Sequence, residues 1–344
     1  MAYAAISKPS LYQNTVLYTG NASTQSITGV GFQPDWTWIK SRTGTHDTEN
    51  SGVFDAVRGA TKRLMSNAND IEYTTANSLT AFDSDGFSLG DYNQQNGTGT
   101  TYASWNWKAN GAGSLNEVGT IDSTVSVNTT AGFSIVKYTG TGAAATIGHG
   151  LGAVPKAVIV KKLSQSDDWF SYHEPLGNLG RLMLSDNVAA ADATSYWNST
   201  TPTSTVFSVI NNGANNAVGE THVAYCFAEV KGFSKFSSYS GNGNADGSFV
   251  YTGFKPSFII TKRVTGSENW MMFDNKRLGY NVDNNFLFPN LNNAEVDSDQ
   301  IDILSNGFKM RTTNDAINNS GGECIYLAFA EEPLVANVGS GLPA

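Results

Sequence analysis

The four histidines are the first candidates for metal or acid–base chemistry. His46, His149, His173 and His222 are scattered over predicted loops and strand starts. No two of them stand four residues apart and no His-Glu-x-x-His motif occurs, so their spacing disfavours a zinc site. His173 is followed by Glu174, a pair that could move a proton, but the matching parts of the chain carry no counterpart. The histidines therefore supply no catalytic constellation.

The other common hydrolytic signatures are also missing from the sequence. No Gly-x-Ser-x-Gly motif is present, which removes the commonest mark of a serine hydrolase. An enzyme that cleaves glycans would need two convergent carboxylates. Glu331 and Glu332 are adjacent at a predicted strand end, where alternation points them apart. We therefore predict no catalytic residues and expect that the protein is not an enzyme, with a glycan depolymerase as the least favoured hypothesis.

Oxygen-rich loops are the strongest candidates for binding a metal ion. They lie at Asp83 to Gly86, Asp274 to Asn275, Asn281 to Asn284 and Asp297 to Asp299. Calcium takes six to eight oxygen ligands, which such loops can supply. None has the EF-hand spacing, and Asp, Asn and Gly are also the residues that tight turns require. We predict no cofactor and leave structural calcium open as an alternative.

Aromatic rings beside neutral amides could recognise a sugar or a protein partner. Tyr196, Trp197 and Asn198 stand together in a loop-like segment, and Trp270 lies in similar surroundings. If these rings are exposed, they are the predicted contacts for a glycan or partner. The alternative is that Trp197 packs against its own part of the chain or against a neighbouring subunit.

The elements that would position these residues recur three times along the chain. A Tyr-Thr-Gly or Tyr-Ser-Gly motif precedes a glycine-containing turn and a proline, and a lysine ends the apolar run six residues after that proline. Such self-similarity is the mark of repeated structural units. The shared positions are Tyr18, Tyr138 and Tyr239; Pro34, Pro155 and Pro256; and Lys40, Lys161 and Lys262.

Each repeat closes on an apolar run of strand length. The runs are Tyr102 to Trp107, Val223 to Glu229 and Ile325 to Glu331. Continuous apolar runs of this length suit strands at a sheet centre. We predict an all-β fold of three tandem β-sandwich modules, of jelly-roll or lectin-like type, related by internal repeat.

The predicted boundaries follow from these motifs and from a polar joint after the first repeat. Unit one covers residues 15–111, unit two 130–232 and unit three 233–334. An N-terminal arm (1–14), a linker (112–129) and a C-terminal tail (335–344) flank them.

Alternation along two strands places the tryptophans of unit one in pairs. Trp36 and Trp38 share a face, as do Trp105 and Trp107. They could form a core or line an aromatic platform, and the aliphatic or aromatic residues at matching positions favour the core. The two cysteines, Cys226 and Cys324, stand among core-type residues, so we expect buried thiols and no disulfide.

Composition limits the classes of partner. The 344 residues carry a formal net charge of −9 and only 15% charged residues, which disfavours binding to nucleic acid. No apolar run approaches the ~20 residues of a membrane helix, so no membrane insertion is expected. The first residues lack the features of a signal peptide, which predicts synthesis in the cytoplasm.

Three segments carry a resemblance to a known class of protein. They are YTGNAS…GVGFQPDWTWIKSR, THVAYCFAEVKGFSKFSSYSGNG and GGECIYLAFAEEPLVANVG. Their combination resembles the repeated modules of virion structural proteins of tailed bacteriophages, of the marine type, which are labelled tail, tail-fibre or virion-associated proteins. The resemblance covers nearly the whole chain, although unit one departs from it by ending in Trp105-Asn106-Trp107-Lys108.

The resemblance implies a non-enzymatic structural component of a virion that is assembled in the host cytoplasm. It implies a symmetric homo-oligomer, a trimer or a ring, that contacts other virion proteins on the tail or a tail fibre. A capsid decoration protein and a carbohydrate-binding, receptor-binding protein are the alternatives. If the protein contacts a host glycan, the long segment Ser164 to Glu220 of unit two is the expected place, because extra length in β modules forms surface loops.

Overall fold

The computed structural model describes residues 4–277, 281 and 285–333. Strands account for 44% of these residues and helices for 4%, which confirms the predicted all-β class. No helix in these residues is long and apolar enough to cross a membrane.

Unit one contains nine strands and a single helical turn. Their bounds are β1 Gln13–Thr19, β2 Gln25–Thr28, β3 Trp36–Thr43, β4 Gly52–Asp55, β5 Lys62–Arg63, β6 Tyr73–Thr74, β7 Leu79–Asp83, β8 Gly86–Leu89, α1 Asn93–Asn96 and β9 Thr101–Trp107.

The next ten strands belong to the linker and unit two. They are β10 Ser114–Asn116, β11 Ser123–Asn128, β12 Phe133–Thr139, β13 Ala145–Gly148, β14 Pro155–Lys162, β15 Trp169–His173, β16 Gly180–Met183, β17 Ala191–Asp192, β18 Val206–Val209 and β19 Thr221–Ala228.

Unit three provides the last elements. They are β20 Ser234–Ser240, β21 Phe249–Tyr251, β22 Phe254–Arg263, β23 Met271–Asp274, β24 Ile301–Leu304, β25 Gly307–Met310, α2 Asp315–Asn318 and β26 Glu323–Pro333. Two 3₁₀ turns lie at Pro9–Leu11 and Glu174–Leu176.

Four antiparallel strands follow the same order in every unit. The order is β1-β9-β3-β4 in unit one and β20-β26-β22-β23 in unit three. In unit two, β12-β19-β14-β15 forms the centre of an eight-stranded sheet. The closing strands β9, β19 and β26 thus lie inside their sheets, as their apolar runs predicted. Pro155 and Pro256 both coincide with register shifts against the closing strand, because proline cannot donate to the ladder.

A smaller sheet covers one face of each four-stranded arrangement. These sheets are β2-β8-β7, β13-β18 and β21-β25-β24. A separate apolar cluster fills the space beneath each of them. In unit one, for example, Ile39 and Tyr102 of the larger sheet share a cluster with Ile27 and Phe87 of the smaller one.

The opposite faces of the three larger sheets meet in one shared core. Trp36 stacks on Tyr225 of unit two, with ring centroids 4.7 Å apart, and Trp107 meets Phe258 of unit three at 5.4 Å. Units two and three touch through Phe227 and Phe329, with ring centroids 6.0 Å apart. The predicted core role of the tryptophans is therefore confirmed, but the core they enter belongs to all three units.

The flanking segments are more structured than their sequences predicted. The predicted linker, 112–129, contains β10 and β11, and β11 pairs with β12 along its length. In the predicted arm, Ala4 and Ile6 are buried and the Ala5 amide donates to Lys231 O at 3.0 Å. The predicted tail, 335–344, lies outside the described residues. Cys226 and Cys324 are free and buried, as expected.

Candidate functional site

Polar side chains at one register position join each unit to another. The strands that carry or follow the repeated proline, β3, β14 and β22, are called the Pro-led strands. Asp55 stands opposite Trp36, His173 opposite Ala157 and Asp274 opposite Phe258, so each ends the strand that pairs with the Pro-led strand of its unit. Each contacts the closing strand of a different unit. Tyr225 Oη donates to Asp55 Oδ2 at 2.7 Å, Trp105 Nε1 donates to Asp274 Oδ2 at 3.0 Å, and His173 Nε2 lies 3.2 Å from Tyr326 O.

Both carboxylates of this set are paired with an arginine three residues later. Arg58 pairs with Asp55 and Arg277 Nε lies 2.7 Å from Asp274 Oδ2, and all four side chains are fully buried. The same guanidinium groups donate to backbone carbonyls of their own sheets, Val53 O at 3.0 Å and Met272 O at 2.9 Å. Every one of these ions has several hydrogen-bond or ion-pair partners. The pairs therefore fix the contacts between units, and their charged groups are occupied by these partners.

The lysines of the repeated motif are buried and directed at backbone carbonyls. Lys40 Nζ donates to Leu291 O of unit three at 2.8 Å, and Lys161 Nζ donates to Asn69 O of unit one at 3.2 Å. Lys262 Nζ donates to Gly266 O of its own unit at 3.2 Å. Burial lowers the pKa of Lys40 to about 7 and those of Lys161 and Lys262 to about 8. A lysine with a lowered pKa can act as a nucleophile, but these amines are enclosed and hydrogen-bonded, which suits a structural role.

Three buried asparagines, which the sequence motifs did not reveal, stabilise the turn after the first strand of each unit. Asn96, Asn216 and Asn318 each stand five residues before the closing strand, which begins at Thr101, Thr221 or Glu323. Each Oδ1 accepts from the backbone after the Tyr-x-Gly motif, and each Nδ2 donates to two carbonyls. The acceptors are Ser23 O and Gly90 O, Ala143 O and Ile210 O, and Asn244 O and Thr312 O, all between 2.6 and 3.2 Å from Nδ2. The constant spacing to the closing strand is the signal that could have revealed them.

Two of the four predicted glycan or partner contacts, Trp197 and Trp270, are buried. Trp197 is 2% exposed and lies in the apolar cluster of unit two, where its ring centroid is 6.0 Å from that of Tyr172. Trp270 is 3% exposed, and its Nε1 donates to Met183 O of unit two at 2.9 Å. Both rings fill the interior, so Trp197 follows the alternative of packing within its own part of the chain, and the exposure on which a glycan or partner contact depended is absent for both.

Tyr196 and Asn198 remain partly exposed. Arg181 lies over the Tyr196 ring, with its guanidinium carbon 4.6 Å from the centroid, and Phe170 packs beside it at 4.9 Å. Asn198 occupies a left-handed backbone conformation with φ of 51° in the turn after Trp197. Their contact with a glycan or partner stays a prediction.

The oxygen-rich loops use several of their carboxylates for turns and ion pairs. Asp85 accepts from the Gly29 and Gly31 amides at 3.0 and 2.7 Å, and Asp83 accepts from Ser88 Oγ at 2.7 Å. Within residues 4–277, 281 and 285–333, no three His, Cys, Asp or Glu side chains cluster as metal ligands. Most of the loop at Asn281 to Asn284 lies outside the described residues, and structural calcium stays a prediction.

Two surface features have the exposure that a binding site requires. A groove of about 400 Å³ runs beside β10, where Leu115 and Val118 are 67% and 49% exposed. On the small sheet of unit three, Phe249 and Tyr251 are 46% and 55% exposed. Neither feature was singled out as a site from the sequence.

The fold and these contacts define an all-β protein whose buried polar groups hold three units together. The chain belongs to the family described as Domain of unknown function (DUF7483), whose model matches residues 8–333. No curated protein and no solved structure matches the chain.

Proposed function

We propose that this chain is a non-enzymatic structural component of a tailed-phage virion, associated with the tail or a tail fibre. In this proposal it consists of three β-sandwich modules related by internal repeat, which close on one another. The observation that carries the proposal is the set of contacts that recurs from each unit to another. The virion setting comes from the resemblance of the repeated motifs.

The repeat is supported by equivalent registers in the three larger sheets. Trp38 pairs with Trp105, Ile159 with Tyr225 and Ile260 with Leu327, and each first member stands two residues before the buried lysine of its unit. This register gives equivalent side chains the same orientation in each unit, and the strand order is also the same. Each larger sheet therefore has one face for its small sheet and one for the shared core, as expected for a sandwich module.

Closure of the three units is supported by matching backbone hydrogen bonds. Each acceptor is the carbonyl two residues after the buried lysine of one unit, and each donor is an amide of another unit. The pairs are Glu72 N to Leu163 O at 2.8 Å, Ala190 N to Val264 O at 2.9 Å and Glu295 N to Arg42 O at 2.9 Å.

The contact between units one and three is reinforced by an ion pair. Arg42 Nε and Nη2 donate to the two carboxylate oxygens of Glu295 at 2.8 and 2.9 Å. This bidentate geometry is the strongest form of a carboxylate–arginine contact. Because it joins unit one to unit three, it adds a side-chain contact to the backbone hydrogen bonds that close the three units on one another.

The proposal includes assembly into a trimer or ring and contact with other virion proteins. The shared core already covers the tryptophan faces within one chain, so such contacts would use the small outer sheets and their loops. Closed symmetry is the usual form of such assemblies.

Particles purified from the phage that encodes this chain test the proposal. We expect mass spectrometry to find the chain in density-purified virions, and electron microscopy with a gold-labelled antibody fragment to place it on the tail. Label on the capsid would favour the decoration alternative instead. Absence from particles that retain their major capsid protein would contradict the proposal.

A further inference from the structure

The small outer sheet of unit three carries an exposed aromatic pair. Phe249 and Tyr251 flank the buried Val250 on β21, and they are 46% and 55% exposed. Successive side chains of a strand point to opposite faces, so both rings stand on the outer face of the sheet. Two neighbouring exposed rings on one face form a patch that calls for an explanation beyond the fold.

The same strand in the other two units is polar on this face. Val250 pairs with Phe308 in the same way as Ile27 pairs with Phe87 and Ile147 with Phe207. By this correspondence, the position of Phe249 is occupied by Ser26 in unit one and Thr146 in unit two. The position of Tyr251 is occupied by Thr28 in unit one and Gly148 in unit two. Because two copies of the strand form without aromatic residues here, the sheet itself does not require them.

The residues opposite the rings leave the face open. Gly307 stands opposite Tyr251, and Lys309 stands opposite Phe249. A Cβ atom at Gly307 would lie 2.0 Å from Val250 O and 3.1 Å from the Phe249 ring, so only glycine fits. Gly307 therefore places no side chain beside Tyr251, while Lys309 places a cation beside Phe249.

The charges next to the rings balance one another. Lys309 Nζ lies 2.6 Å from Asp246 Oδ1, and Arg311 pairs with both Asp302 and Asp246. Two cations and two carboxylates give no net charge, so the face is not complementary to a polyanion. They do offer both donors and acceptors to a neutral ligand rich in hydroxyl groups.

We infer that the face formed by Phe249 and Tyr251 binds a neutral hexose oligosaccharide. The C–H faces of the sugar rings would stack on the aromatic rings, while Lys309, Asp246 and Arg311 contact hydroxyl groups. Each aromatic residue exposes roughly 100 Å² of surface. That area matches one or two sugar rings.

For its biological meaning this inference rests on the proposed function, since a virion protein would use the site on a host-surface glycan. The binding itself can be measured on the purified chain, without particles. Failure to bind sugar and absence from the virion are therefore separate results.

Isothermal titration calorimetry with cellohexaose, maltohexaose and mannohexaose tests the inference on the full chain. We compare the parent with the double variant Phe249→Ser and Tyr251→Thr, which installs the residues that unit one carries at these positions. Val218→Ser, at a residue that is 74% exposed in unit two, is the matched control. We expect at least one sugar to bind the parent and the control equally, and the double variant to bind it about tenfold more weakly or not at all.

Several results would overturn the inference. One is that the parent binds none of the three sugars. Another is that the double variant binds a sugar as tightly as the parent does while the two have the same melting temperature. Binding of a polyproline peptide in place of the sugars, lost in the double variant, would assign the face to protein recognition. A drop in oligomeric mass of the double variant in analytical ultracentrifugation, without sugar binding to the parent, would assign it to self-association.

Discussion

At the scale of single residues, buried polar side chains carry the architecture. Asn96, Asn216 and Asn318 each satisfy carbonyls that would otherwise be buried without a donor, in a turn that positions the first strand of a unit. An amide is the only neutral group of this size that can donate two hydrogen bonds and accept another. This explains why the same residue type recurs at one position in three units.

Replacing Asn318 by aspartate tests this role. The carboxylate would face Thr312 O and Asn244 O, which now lie 2.6 and 2.7 Å from Nδ2, and it cannot donate to them when ionised. We expect the free energy of unfolding at pH 7 to fall by about 3 kcal/mol or more, measured by urea denaturation. The control Asn244→Asp changes an exposed residue whose Oδ1 only accepts from Asp246 N, and it should stay near the parent.

His173 predicts a loss of stability in acid. Burial lowers its pKa to about 4, so between pH 6.5 and 4 the unfolded chain binds a proton that the folded chain does not. The contribution of the neutral ring is therefore present above pH 6.5 and is lost as the pH falls toward 4. His173→Gln retains a donor for Tyr326 O and should reduce the loss by about 3 kcal/mol.

Urea denaturation at several pH values between 7 and 4 measures this effect. His46→Gln, at a surface histidine whose side chain is 28% exposed, is the control and should leave the acid loss unchanged. An equal loss in His173→Gln and the parent would show that the buried ring does not couple to folding.

At the scale of elements, the glycine of each Tyr-x-Gly motif permits a close approach of two backbone segments. A Cβ atom at Gly140 would lie 2.2 Å from Ala217 O, and the same contact at Gly20 and Gly241 would be 2.3 Å. The first strand can therefore meet the turn before the closing strand only if this position has no side chain. The motif recognised in the sequence thus reflects packing and not a turn alone.

Gly140→Ala should lower the free energy of unfolding by about 2 kcal/mol, because the added methyl group meets backbone that cannot move aside easily. Gly213→Ala, in the same unit, adds a Cβ with nothing within 4 Å. We expect this control to change stability by less than about 0.5 kcal/mol. Thermal unfolding of both variants makes the comparison, and similar melting temperatures for the two would refute the packing explanation.

Element types followed from the sequence because their signals are local. The Pro-led strands and apolar closing strands were predicted from alternation and run length, and Trp36, Trp38, Trp105 and Trp107 were predicted to be buried. The sequence left Trp197 and Trp270 open between surface and interior, because a ring in a polar loop can either be exposed or fold back onto the sheet beneath it. Which unit covers which face depends on contacts between residues ~100 positions or more apart, and periodicity within one strand does not contain that information.

At the scale of the whole molecule, the junctions between units depend on a few buried hydrogen bonds and one shared core. Tyr225 of unit two donates to Asp55 of unit one, and Trp105 of unit one donates to Asp274 of unit three. The sequence predicted three modules in tandem, and in the structure the larger sheets of units one, two and three contribute to one apolar cluster. The same motifs would repeat along the sequence whether the units were separate from one another or packed around a shared core. The motifs therefore could not distinguish these two arrangements.

Tyr225→Phe removes one junction contact without changing the core volume. We expect a loss of about 2 kcal/mol in the free energy of unfolding, since a buried carboxylate loses a hydrogen-bond donor. Tyr251→Phe, at an exposed ring of unit three, should cause almost no change in chemical denaturation. Equal stability of the two variants would mean that the Tyr225 hydroxyl does not strengthen the junction.

Differential scanning calorimetry of the intact chain tests the shared core most directly. If the three units unfold as one body, the trace should show a single transition whose calorimetric enthalpy equals its van't Hoff enthalpy. Two or three resolved transitions, or a calorimetric enthalpy about three times the van't Hoff value, would contradict the account, because independent modules would then be melting one by one.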